Sequence, residues 1–111
     1  MAYDEKLADR IRDALGPAQG EVTEKKMFGG LAFLLGGNMS VAASRQGGLL
    51  ARVDPREAAE LLSRESVDTM VMGGREMTNW LRVDPDALHE DRALQEWVDR
   101  CLAYARTLPR K

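Results

Sequence analysis

Arginine and tryptophan are the side chains here best equipped to grip a partner, and Arg52, Arg75, Trp80 and Arg82 all fall in or beside short alternating segments. Two-residue alternation puts Trp80 and Arg82 on one face of a strand and Leu81 and Val83 on the other. If Leu81 and Val83 face the helices, Trp80 and Arg82 occupy the open face of the sheet. Exposed Trp and Arg dominate binding hot spots. Met77 joins them as an adaptable apolar neighbour, because thioethers are soft and flexible. The competing arrangement covers Trp80 with Met70, Met72 or a loop and pairs the arginines with carboxylates.

Groups for catalysis are sparse. His89 is the sole histidine, so a two-histidine zinc site is ruled out, and His89-Glu90-Asp91 reads as a solvated helix start. Ser40, Ser44, Ser63 and Ser66 sit in nothing resembling a nucleophile elbow. Cys101 lies on an apolar helical stripe between Trp97 and Ala105, where a thiol is inert core. The Gly-Gly pairs lack the Gly-Lys-Ser/Thr ending of a phosphate loop. The expectation is no catalytic set, no metal and no cofactor. Met27, Met39, Met70, Met72 and Met77 lie in or beside strands. They read as core filling, while a mixture of buried and exposed methionines would favour a protein-binding groove.

The 111 residues make one domain, 1–111, carrying sixteen Lys plus Arg against eighteen Asp plus Glu. Lys25-Lys26 and Arg45 sit near turns, but Glu21, Glu24, Asp54, Glu57 and Asp84 are interleaved with the basic residues. With a net charge of −2, direct nucleic-acid binding is not expected. No apolar run has the length of a membrane span, and the N-terminus lacks the apolar stretch of a secretory signal. One cysteine makes no internal disulfide, as suits a cytoplasmic chain.

The elements that must position these groups follow from periodicity. Tyr3, Leu7, Ile11 and Leu15 mark a first helix, stopped by Gly16-Pro17. Ala18 to Glu24 reads as a loop. Three strands come next: Met27 to Leu35, Met39 to Ser44, and Leu49 to Val53. Gly36-Gly37-Asn38 and Gln46-Gly47-Gly48 are turns, while Gly29-Gly30 inside an apolar run reads as a bulge or bend. Asp54-Pro55 opens a short helix ending near Arg64. Val67 to Met72 and Met77 to Val83 pair around Gly73-Gly74. Asp84-Pro85 opens a separate turn before the last helix, whose Leu94, Trp97, Val98, Cys101, Leu102, Ala105 and Leu108 recur at three and four. The order is α-β-β-β-α-β-β-α: an α+β fold in two layers, an antiparallel sheet with its helices mainly on one face. A sheet with an uncovered face or edge also permits homodimer pairing. Arg-Val-Asp-Pro occurs at 52–55 and again at 82–85, read either as a pseudo-repeat with the arginines at equivalent strand ends or as a common way to leave a strand and cap a helix.

Lys26-Met27-Phe28-Gly29-Gly30 with Phe33, Leu50 to Pro55, Met72-Gly73-Gly74-Arg75 with Met77, Trp80-Leu81-Arg82-Val83, and the later Trp97-Val98 and Tyr104-Ala105 form an ordered set. In that set the chain resembles the TfoX (Sxy) N-terminal domain family. The resemblance implies a two-layer α+β domain similar to secretion-chaperone folds. It also implies a cytoplasmic regulator of natural competence, acting through a transcription activator rather than as an enzyme. Full-length members carry a second, helical domain, so a chain ending at Lys111 is expected to be a stand-alone member. The resulting expectation is a non-enzymatic regulatory module with a protein partner, bound through Arg52, Arg75, Trp80, Arg82 and Met77. The alternative is a small anionic ligand, or a minor enzymatic activity, in a pocket lined by methionines and held by Arg52 and Arg82.

Overall fold

A computed structural model of the chain describes residues 4–27, 29–44, 47–72 and 74–110. Tyr3, Phe28, Arg45, Gln46 and Gly73 lie outside the described residues, as do the side chains of Met72, Arg75 and Met77. Helix α1 spans Glu5–Leu15. Asp4 caps it: the carboxylate accepts from the backbone N–H of Lys6 and Leu7. Gly16 ends the helix at φ 53°, a backbone conformation open to glycine.

The loop expected over 18–24 is not what forms there. A 3₁₀ segment, Gly16–Glu21, leads into strand β1, Val22–Met27, which pairs antiparallel with β2, Gly30–Leu35. Met27 stands opposite Gly30, so Gly29, with φ 78°, lies in a chain reversal and not in a bulge. Tertiary contact decides the matter: the guanidinium of Arg12 on α1 holds Glu24 of β1 through two hydrogen bonds of 2.7 and 2.8 Å. That pairing holds the Glu24 carboxyl below the usual carboxylate range.

The remaining elements run as the periodicities require. They are β3 (Asn38–Ala43), β4 (Leu49–Arg52), α2 (Pro55–Leu62), β5 (Val67–Met72), β6 (Arg75–Val83), a 3₁₀ turn (Pro85–Leu88) and α3 (Asp91–Arg106). Asp54 and Asp84 each cap the element after their Asp-Pro, so the repeated tetrapeptide does the same local job twice. The six strands form one antiparallel sheet in the order β1-β2-β3-β4-β6-β5.

All three helices pack on one face. Leu7, Ile11 and Leu15 from α1, Leu61 from α2 and Leu94, Trp97, Val98 and Cys101 from α3 meet Phe33, Val41, Ala51, Leu81 and Val83 of the sheet. Leu81 and Val83 therefore face the helices, and Trp80 and Arg82 belong to the other face. That second face is apolar too. Ala32, Met39, Ala42 and Leu50 are buried there, with Met27, Leu34, Met70 and Trp80 partly buried around them.

A bulge puts Met39 in this second cluster. Phe33 pairs with Val41 and Leu34 with Met39, which leaves Ser40 without a partner on β2. The buried Ser40 hydroxyl donates to the Phe33 carbonyl at 2.9 Å. The extra residue reverses the alternation, so Met39 and Val41 point to opposite faces despite their spacing.

Candidate functional site

A second irregularity builds the candidate site. Along the β5–β6 ladder Thr69 pairs with Leu81, but Met70 pairs with Met77. Residues 78–80 have no register partner on β5. They turn to β4 instead: Trp80 stands opposite Arg52, and the Val53 N–H donates to the Asn79 carbonyl at 2.9 Å. Bulges of this kind re-aim side chains. Here the bulge delivers Asn79 and Trp80 to the end of the sheet where β4 hands over to α2.

The guanidinium of Arg52 lies close to two aromatic rings at that end. Its carbon is 5.2 Å from the centroid of Trp80 and 5.9 Å from that of Tyr104 on α3. Both separations are within the range in which a ring face attracts a cation. Asn79 ties the cradle together. Its Nδ2 donates to the Val53 carbonyl at 3.1 Å and lies 3.5 Å from the Tyr104 hydroxyl. The Arg52 Nε is buried with no hydrogen-bond partner. Among the described residues no carboxylate pairs with Arg52 or with Arg82.

The nearby carboxylates are otherwise engaged. Asp54 holds Arg56, and Glu57 holds Arg100, which also reaches Glu96. The Arg56 guanidinium keeps the Asp54 carboxyl below its ordinary range. Beside the cradle, Asp54, Glu57, Asp99, Arg100, Ala103, Tyr104 and Thr107 line an open cleft of about 460 Å³. Cys101 lies beneath, fully buried; burial pushes its thiol up to about 12.

Of the five residues singled out by sequence, the structure brings Arg52 and Trp80 into contact. Arg82 shares their face, opposite Leu50 on β4 and Asp68 on β5. Arg52 closes β4 and Arg82 is next to last in β6, so both copies of the tetrapeptide leave the C-terminal end of a strand; because β4 and β6 run antiparallel, the two exits leave the sheet in opposite directions. Arg75 and Met77 lie on β6, their side chains outside the described ones. Sequence reasoning missed Tyr104 and Asn79. Tyr104 falls on the same helix as the core stripe but off that stripe, which was its available signal.

His89 lies 3.6 Å from Asp86 on an exposed turn, and among the described residues no three of His, Cys, Asp and Glu gather as metal ligands would. No helix in the described residues is long and apolar enough to cross a membrane.

No curated protein and no solved structure matches the chain. The family model for the TfoX N-terminal domain matches residues 13–105, from the last turn of α1 to nearly the end of α3. The match includes every strand of the sheet together with Arg52, Trp80, Arg82 and Tyr104. The chain thus belongs to the TfoX N-terminal domain family.

Proposed function

We propose that this domain is a non-enzymatic, regulatory protein-interaction module of the cytoplasm, docking its partner on the sheet face that carries Arg52, Trp80 and Arg82. The observation that carries this reading is the pair of arginines on that face that form no ion pair among the described residues, one of them against a partly buried tryptophan. Arginine and tryptophan at the centre of a surface are the residues whose truncation costs an interface most. The methionines support it as well: Met39 is buried, while Met27 and Met70 sit half-buried at the rim of an apolar cluster that no helix covers. Such side chains re-pack readily against an incoming surface. Membership of a family whose regulators act through a protein partner points the same way.

The test is affinity capture from nuclease-treated host lysate, with the Trp80→Ala, Arg82→Ala double variant run beside the wild type. A partner retained by the wild type and lost by a folded double variant is the expected result. Capture that is identical for both would place the interface elsewhere.

A further inference from the structure

Arg52 offers more than a hot-spot residue. We infer that it is a receptor for a carboxylate presented by the partner; this rests on the proposed docking face and names the chemistry of that site. The rings of Trp80 and Tyr104 both lie within cation–π distance of the guanidinium carbon, at 5.2 and 5.9 Å. The Nε edge is buried and makes no hydrogen bond. Among the described residues the terminal nitrogens make none either, and Arg52 as a whole is only half-buried. Only the far end of the fork is therefore open to a ligand. A planar group with two acceptor oxygens fits that end with two parallel N–H···O bonds.

The surroundings favour a monoanion over phosphate. Asp54, Glu57 and Asp99 line the adjoining cleft, which disfavours concentrating two negative charges on the one Arg52 guanidinium. A second carboxylate has a place as well. Arg52 and Arg82 are diagonal neighbours across the β4–β6 ladder, roughly 7–8 Å apart at their Cα atoms. In an extended segment, side chains two residues apart on one face are separated by about 7 Å. A Glu-x-Glu stretch therefore spans the two arginines, with the first at Arg52 carrying more of the binding because the negative charge of Asp68 stands opposite Arg82.

Nitrogen-15 NMR of the whole chain reads this directly, through the Arg52 Nε–H peak and the indole N–H of Trp80. Trp97, which is buried in the core, supplies an internal reference indole. Three probes are titrated at constant ionic strength: capped Glu-Ala-Glu amide, a capped tri-alanine with a free terminal carboxylate, and inorganic phosphate. The expected result is saturable movement of the Arg52 and Trp80 peaks, with the Trp97 indole still, and a Kd for Glu-Ala-Glu of order 1–10 mM. Arg52→Gln weakens it at least about tenfold; Arg82→Gln weakens it less. Stronger binding of the terminal carboxylate than of Glu-Ala-Glu would assign the receptor to a chain end and remove the role given to Arg82.

The inference fails if no carboxylate moves either peak, if Arg52→Gln binds as well as the wild type, or if phosphate binds more tightly than both peptides. Lysate capture separates this from failure of the docking face. A partner lost by the Trp80, Arg82 double variant but kept by Arg52→Gln leaves the docking face standing and overturns the carboxylate receptor.

Discussion

Arg52 and Cys101 are covered by the same stretch of structure and have opposite chemical fates. The Arg52 backbone N–H faces the buried thiol, while its side chain ends beside the rings of Trp80 and Tyr104. Desolvation dominates at Cys101 and keeps it protonated. The consequence for stability has a definite sign. The folded thiol titrates near 12 and the unfolded one near its ordinary value of 9.0, so above pH 9 the unfolded chain binds fewer protons than the folded one. Stability therefore falls as pH rises through that window. The advantage of the wild type over Cys101→Ala should narrow by about 1.4 kcal/mol between pH 8 and pH 10, read from urea unfolding. An advantage that stays constant would mean the thiol is solvated. Alternation in the sequence was enough to place Trp80 and Arg82 on one face, and the helical stripe was enough to bury Cys101. Nothing local announced that Tyr104 would reach Arg52, because that contact joins residues far apart in the chain.

Among the elements, the strands read correctly wherever alternation was unbroken and failed where one residue was added. Met39 has the spacing of a helix-facing residue, yet the unpaired Ser40 turns it to the other face. Strand β1 was hidden for a different reason. Its Glu24, Lys25 and Lys26 are exposed at the edge of the sheet, so it carries the composition of a loop. Charged side chains on an edge strand guard it against pairing with another chain. Turns were the most legible feature, and they differ in what they tolerate. Gly48 sits at φ 78° where an added Cβ would lie 2.3 Å from the Val83 carbonyl oxygen. Gly74 has a similar φ of 81° with nothing within 4 Å of its Cβ position. Gly74→Ala should cost about 1–2 kcal/mol, the penalty of left-handed backbone alone. Gly48→Ala should cost clearly more, about 3 kcal/mol, since backbone must move as well. Equal costs in chemical denaturation would show that the β3–β4 connection yields freely.

For the molecule as a whole, the layering explains why one face is left for a partner. Three helices bury one side of the sheet, anchored by Phe33, Ile11 and Leu81 at full burial. The opposite side has its own apolar cluster, over which no helix lies among the described residues, with a tryptophan and two arginines that pair with no described carboxylate at its margin. The α+β class, the antiparallel pairing and the one-sided helices were all legible, because each depends on local periodicity and capping. The cradle depends on a bulge in β6 and on the end of α3 reaching the same corner, and both are properties of the assembled fold. A docking face on the open side makes a sharp spatial claim. Asp68 is exposed there beside Arg82, whereas Arg92 is exposed on the helical layer. A photo-crosslinking amino acid placed at position 68 should capture a specific partner in host lysate, and the same group at position 92 should capture none. Adducts from position 92 with none from position 68 would put the partner on the helices and contradict the docking face.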